Sequence, residues 1–302
     1  MKKTCVFFLV VVFVFVSTSA LADESNNLVE QAALCFSTKE YNKGLELYKK
    51  VKSLNPRISM YNAACMAALA GDKDLAFEWL NDVLDNGYNL AMMMLVDVDL
   101  DSVRKDCRWE KLERKADSLG MFPKDKSTAY QLMVMYVEDQ QIRLKQYRAM
   151  QSGNNNNAYL DSLGHEMVEL NKKNSMLLDS IITKRGWLGY DIIGKEASNA
   201  VFCILQHSSL DMIVKYLPEF REAVLNGNSN AIHLAYVEDR CAVWSGKKQK
   251  YGTQSSWDDN KQAYVIRLSE IEDSDRVNER RKSIGLNSIE DYAKSFGFIV
   301  IP

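Results

Sequence analysis

Ser59 to Asn86 reads SMYNAACMAALAGDKDLAFEWLNDVLDN, and its reading decides the fold of the first part of the chain. Gly71-Asp72 is a turn signal between two helix-compatible segments. Tyr61-Asn62-Ala63-Ala64 opens the first segment, and Ala76, Leu80 and Val83 recur at helical spacing in the second. Ala64 and Ala76 are small enough to let the two helices approach closely. The stretch is therefore expected to be a helix-turn-helix hairpin.

A second unit of the same kind lies upstream, from about Asn27 to Leu54, marked by Ala32, Tyr41, Gly44, Tyr48 and Pro56. Gly44 and Ala76 hold equivalent positions, 32 residues apart. The pair resembles the tetratricopeptide repeat, whose period is about 34 residues, with a connecting loop two residues short. The resemblance implies a short helical superhelix that contacts a peptide, a protein partner or the following domain. Two such repeats need a cap, since roughly three are required for independence. Asn89 to Gly120 is expected to supply it, with Leu100, Val103, Trp109 and Leu112 at helical spacing. Met92-Met93-Met94 reads as core packing, with a groove as the alternative.

Phe122-Pro123-Lys124-Asp125 breaks the pattern. Residues 23–120 are thus read as repeats with a helical cap and residues 121–302 as a second, helical domain. A long helix is expected over Ser127–Met150, with Leu132, Met135, Tyr136, Asp139, Ile142, Arg143 and Tyr147 on one face. Asp139 and Arg143 are four apart and pair there. A Gly/Asn loop over Ser152–Asn157 follows. The next helix is expected over His165–Thr183, with Val168, Met176, Leu177 and Ile181 inward. Gly186-Trp187-Leu188-Gly189-Tyr190 is a turn whose Trp187 either covers a pocket or fills the core. Helices then run over Gly194–His207, Ser209–Leu225 and Asn230–Asp239. Arg240–Ser245 reads as a strand that turns at Gly246-Lys247 and returns at Tyr251–Gln254. Tyr264–Leu268 is a further extended piece. Final helices cover Asp275–Ser283 and Ser288–Ser295. The expected class is mainly α, with N-terminal tetratricopeptide-like helical hairpins and a C-terminal helical domain carrying a small β-hairpin.

The chemistry concentrates between Cys203 and Gln254. Gln206-His207, Glu238-Asp239-Arg240 and Gln249-Lys250-Tyr251-Gly252-Thr253-Gln254 set polar groups among apolar ones. Buried polar groups cost several kcal/mol unless paired, so the cluster is a network or a site. His207 is suited to accept and donate a proton near neutrality. Asp139 or Asp239 would orient its ring, and Arg240 or Arg143 would hold an anionic group. Gln249, Tyr251 and Gln254 are uncharged donors toward a polar substrate or a developing oxyanion. His207, Asp239, Arg240 and Tyr251 are the candidate catalytic residues. Asp139, Arg143, Gln206, Gln249, Gln254 and Trp187 are candidate ligand contacts. The chemistry is hydrolysis or group transfer on a small polar or anionic substrate. The alternative is a structural network in a protein-interaction or ligand-binding module. No nucleophile is evident, since Cys203 lies four before His207 and faces inward. The spacing of His207, His233 and Asp239 matches no standard metal site. Gly186, Gly189 and Gly194 make no phosphate loop, so neither metal nor cofactor is expected.

Asp139-Gln140-x-x-Arg143, Gly186-Trp187, Gln206-His207, Asp239-Arg240, Gly246-x-x-Gln249-x-Tyr251-Gly252-Thr253-Gln254 and Arg281-x-x-x-Gly285-Leu286 occur in that order. In this the stretch from Ser127 to Tyr292 resembles the bacterial domain of unknown function numbered 6624. Leu188 stands where that family usually has proline. The resemblance implies a domain boundary and a set of residues, not a reaction.

Residues 1–22 read as a secretory signal peptide: Lys2-Lys3, the apolar run Cys5–Val16, and Ala20-Leu21-Ala22 as a cleavage site. The run falls short of the about 20 residues that span a bilayer. Cys5 is too early to be a lipidated residue after cleavage. The protein is expected to be exported, periplasmic or extracellular, with no membrane span after cleavage. Loss of Lys2 and Lys3 leaves 36 basic against 40 acidic side chains. Without a basic patch, a nucleic-acid partner is not expected. Five cysteines remain, an odd and widely spaced set without CxxC. They read as buried thiols, Cys35 with Cys65 being the one pair that adjacent helices would bring together.

Overall fold

The computed structural model describes residues 20–55, 60–151 and 157–302. The expected signal segment up to Ser19, the repeat marks Pro56 and Ser59, and residues 152–156 of the expected Ser152–Asn157 loop lie outside these residues. The chain divides into two compact units between Lys126 and Ser127.

The first unit begins with two antiparallel helix pairs. Helices α1 (Ala20–Ser37) and α2 (Tyr41–Leu54) make one pair, and α3 (Tyr61–Ala70) and α4 (Lys73–Asp85) the other. Gly71 ends α3 at φ 85°, a left-handed conformation open to glycine. Asp72 then caps α4, its carboxylate accepting the Leu75 N–H at 3.1 Å. Helix α3 is buried on almost every side, with Ala63, Ala64, Ala67 and Ala68 all within the core. Such a helix belongs in an interior, and its alanines let α2 and α4 close on it. Gly44 serves the same end, since a Cβ there would stand 2.4 Å from Met66 Sδ. Short helices α5 (Ala91–Val96), α6 (Asp101–Arg104) and α7 (Trp109–Ser118) follow. Leu100, Val103, Trp109, Leu112 and Met94 join the core of the hairpins, and Met92 is buried as well. These short helices thus pack on the hairpins over the stretch that follows them.

The second unit starts with two long helices, α8 (Lys126–Gln151) and α9 (Asn157–Arg185). Helix α8 buries Leu132, Met135, Tyr136, Asp139 and Ile142, as the periodicity predicts. Helix α9 corrects the expected inward set. Val168 and Met176 are 60% and 66% exposed, while Leu163, Asn174, Leu178 and Ile182 are buried. Two asparagines sit on the true inner face. Asn174 Nδ2 donates to the Met135 carbonyl at 3.4 Å, and Asn171 Oδ1 accepts from Arg143 at 2.9 Å. Following apolar residues alone put the helix in the wrong phase.

Helix α10 (Tyr190–Gln206) is interrupted at Gly194, where φ 73° and ψ 172° leave the helical region. Ser209 caps α11 (Leu210–Leu225), and Asn230 caps α12 (Ala231–Trp244). The expected strand over Arg240–Ser245 is thus helix. With Val237, Asp239 and Arg240 buried, helical periodicity continues through this segment until Gly246 turns at φ 69°. The small hairpin lies further on, between β1 (Ser256–Asp258) and β2 (Ala263–Arg267), in antiparallel register Trp257 to Tyr264. Helices α13 (Val277–Ser283) and α14 (Ile289–Phe296) precede β3 (Ile299–Ile301), which pairs in parallel with β2. Gly297 at φ 67° redirects the chain from α14 into β3. Tyr236, Tyr292, Phe296 and Phe298 pack over a core that includes Ile266, Ile271 and Ile289. Among the described residues no helix is long and apolar enough to cross a membrane.

Candidate functional site

The polar residues of the second unit form a network whose two hydrogen-bonded halves are joined through the Gln206-His207 main chain. It begins on α8, where Asp139 is 1% exposed. Its Oδ1 lies 2.9 Å from Arg143 Nη2 and 3.0 Å from His207 Nδ1. Oδ2 accepts from Arg143 Nε at 3.2 Å and from Gln140 Nε2 at 2.8 Å. From α9, Asn171 and Met167 Sδ receive further Arg143 donors, each at 2.9 Å. His207 ends α10, and its main-chain N–H stays bound to the Cys203 carbonyl at 3.2 Å.

Burial pushes the His207 imidazole down to about 4, reinforced by the Arg143 charge and opposed by Asp139. The ring is therefore neutral at pH 7. Burial alone would raise the Asp139 carboxyl, but its bonds to His207 and Arg143 outweigh that and bring it to about 2. An ionised Asp139 next to Nδ1 selects the tautomer with its proton on Nδ1.

Gln206 connects this half to the next. Its carbonyl accepts a hydrogen bond from Arg240 Nη1, and Arg240 Nε donates to Gln254 Oε1 at 3.1 Å. The guanidinium lies 5.5 Å from the Trp244 ring centroid. Among the described residues no carboxylate stands within ion-pairing distance of Arg240. Burial lowers it to about 9, helped by the nearby Arg143 charge. Arg240 Nη2 and both side-chain atoms of Gln206 are buried without a hydrogen-bond partner. Orphans of this kind are rare in native interiors and cost about 1–3 kcal/mol each.

Asp239 organises the loop after α12. Its carboxylate accepts the main-chain N–H groups of Lys250 (2.7 Å), Tyr251 (3.0 Å) and Thr253 (2.9 Å), and the Thr253 hydroxyl at 3.0 Å. Burial raises its pKa against the pull of those donors. Gln249 closes the loop from within: its Nε2 donates to the Gln254 carbonyl at 3.0 Å and its Oε1 accepts from Gln254 N at 2.8 Å. Arg281, fully buried, donates to the Tyr251 carbonyl at 2.7 Å and to the Asn287 carbonyl at 2.7 Å.

The sequence-derived candidates thus divide. Asp139, Arg143, Gln206, His207 and Arg240 come together at the ends of α10 and α12 and the middle of α8. Asp239, Gln249 and the Tyr251 main chain are engaged in holding the loop, and Gln254 bridges the two groups. Trp187 stacks on Phe220 with centroids 5.0 Å apart, a packing position. His233 stacks on Phe202 at 4.1 Å. Asn171, Thr253 and the structural use of Arg281 were not foreseen. The two asparagines on the inner face of α9 were a signal for the first; Arg281 stands between Arg280 and Lys282 and reads locally as a solvated face. Among the described residues no group of three or more His, Cys, Asp or Glu side chains stands as a metal site. An open groove of about 570 Å³ between α8 and α9 is lined by Glu138, Ile142, Lys145, Glu169, Leu170 and Lys173 among others, and shares no residue with the network.

As chemistry, the arrangement offers a neutral imidazole oriented by a carboxylate, beside a guanidinium that lacks an anion. It contains no activated nucleophile: burial pushes the Cys203 thiol far above its ordinary value. No curated protein and no solved structure matches the chain. A family model described as "Family of unknown function (DUF6624)" matches residues 127–297. With more than half of its length so matched, the chain belongs to that family.

Proposed function

We propose that the second unit binds a small polar or anionic molecule at Gln206, His207 and Arg240, and acts on it as an acid–base hydrolase or transferase. One observation carries this reading: a neutral His207 aligned by Asp139 stands beside Arg240, whose buried charge has no carboxylate. A guanidinium in that state gains most from an anion. His207 would move the proton, and with no protein nucleophile at hand the attacking group would be water or a second substrate. Export is part of the proposal and rests on the Lys2-Lys3, Cys5–Val16 and Ala20-Leu21-Ala22 pattern. So is a protein or peptide partner for the tetratricopeptide-like hairpins, supported by the equivalence of Gly44 and Ala76.

A second reading is favoured by burial. The side chains of Asp139 and His207 are 2% and 6% exposed, as suits a network that only holds helices together. The domain would then be a non-catalytic interaction or ligand-binding module. One experiment separates the two. Wild type and His207→Gln are compared for melting temperature and for turnover of p-nitrophenyl acetate and p-nitrophenyl phosphate. Turnover above background, lost in a variant that melts near wild type, supports the acid–base reading. No turnover by wild type, with His207→Gln melting about 10 °C lower, supports the structural one.

A further inference from the structure

Arg240 has three guanidinium nitrogens, and two are spent on neutral acceptors: Nε on Gln254 Oε1 at 3.1 Å and Nη1 on the Gln206 carbonyl. Only Nη2 remains. An anion oxygen that reaches Nη2 would supply the partner it lacks. The cation whose charge acts on it, Arg143, is already balanced by Asp139. The uncompensated charge is one, which suits a monoanion.

Gln206 adds the second requirement. It is 1% exposed, and neither its amide oxygen nor its amide nitrogen has a partner. Exchanging the two atoms changes nothing, because both are orphaned. A ligand that satisfies this amide must accept from Nε2 and also donate to Oε1. A simple carboxylate accepts but has no proton to give. A carboxylate with a hydroxyl on the adjacent carbon does both with one compact group.

We infer that the site beside Gln206 and Arg240 takes a small 2-hydroxy carboxylate, one carboxylate oxygen on Arg240 Nη2 and the acid-plus-hydroxyl edge on the Gln206 amide. This rests on the anion-binding reading above and narrows it to a ligand class. The hydroxyl is the group that discriminates, since a buried acceptor left unpaired penalises an analogue without a donor.

The test is titration of the full chain with glycolate, acetate and inorganic phosphate at pH 7, by calorimetry or by chemical shifts. Glycolate is expected to bind at least about tenfold more tightly than acetate, and phosphate more weakly than glycolate. Gln206→Met, which keeps length and removes both polar atoms, should bring glycolate and acetate to within about twofold. Equal affinities for glycolate and acetate in wild type, or tightest binding of phosphate, overturn the inference and leave anion binding standing. Binding of none of the three overturns the anion-binding reading itself. The wild-type comparison decides the matter even if the variant does not fold.

Discussion

Asp139 Oδ1 lies 3.0 Å from His207 Nδ1 across 68 residues of chain. The same oxygen takes a donor from Arg143, one turn away on its own helix. One buried carboxylate thus ties α8 to the end of α10 and balances the only guanidinium of α8 that reaches it. Asp139→Ala leaves Arg143 buried with its charge uncompensated, and is expected to cost about 3–5 kcal/mol. The Arg143→Met change on top of it should recover part of that loss. Urea denaturation of the single and double variants checks both, and additive losses would rule out the coupling.

Acid should weaken the second unit through its buried histidines. His207 and His233 each fall from 6.5 to about 4 in the folded chain, chiefly by burial. Between those values the unfolded chain binds more protons. Stability is therefore fully present above about pH 6.5 and is lost as pH falls toward 4, by up to about 3 kcal/mol per histidine. Asp139, held low, adds a further loss only below about 3.8. His233→Phe keeps a ring against Phe202 and cannot titrate. Unfolding free energies at pH 7 and 4.5 should differ less in that variant than in wild type.

The Lys250–Thr253 loop owes its shape to Asp239. Replacing one carboxylate oxygen by an amide sets an N–H against donors that all point inward. Asp239→Asn should cost about 2–4 kcal/mol. Hydrogen exchange gives the specific readout: the amides of Lys250, Tyr251 and Thr253 should lose protection while α8 keeps it. Unchanged protection there would mean that the loop is held by other groups.

Thiol chemistry follows burial. Cys35, Cys65 and Cys203 are buried, Cys241 is half-buried and Cys107 is exposed. Burial and the nearby Asp97 raise Cys65 far above the ordinary thiol range, and burial does the same for Cys203. Iodoacetamide, which reacts with thiolate, should modify Cys107 first, Cys241 slowly and the other three only on unfolding. Peptide mapping by mass spectrometry reads this out. Early modification of Cys203 would reopen it as a nucleophile.

Much of this was legible in the sequence, for reasons that differ by element. The hairpins of α1–α4 were legible because Gly71-Asp72 is a local turn and capping signal and because Gly44 and Ala76 mark close helix contacts. The Asp139–Arg143 pair was legible because helical spacing alone brings the two together. The partner of Asp139 was not decided, since Asp139 and Asp239 are equal candidates until α8 and α12 are placed against α10. The segment Arg240–Ser245 misled because Cys241, Ala242, Val243 and Trp244 suit either a strand or the last turn of a helix. Only the buried pairing of Asp239 with the loop fixes its phase. Strand β3 depends on a parallel partner more than thirty residues earlier, which no local pattern announces.

Gly252 lies in the middle of that loop at φ 67°, and a Cβ there would stand 2.6 Å from Ile271 Cδ1 and 2.7 Å from Ile289 Cδ1. Two costs therefore fall on Gly252→Ala. The left-handed backbone disfavours any side chain, and the two isoleucines belong to a packed core that resists added volume. Together these should cost about 2–4 kcal/mol. Shortening one obstacle tests the cause: Ile289→Val in the Gly252→Ala background should restore part of the loss, whereas in the wild type it costs about 0.5–1.5 kcal/mol. A double variant no more stable than the sum of the two single losses allows would place the whole cost in the backbone. The steric share would then be nil.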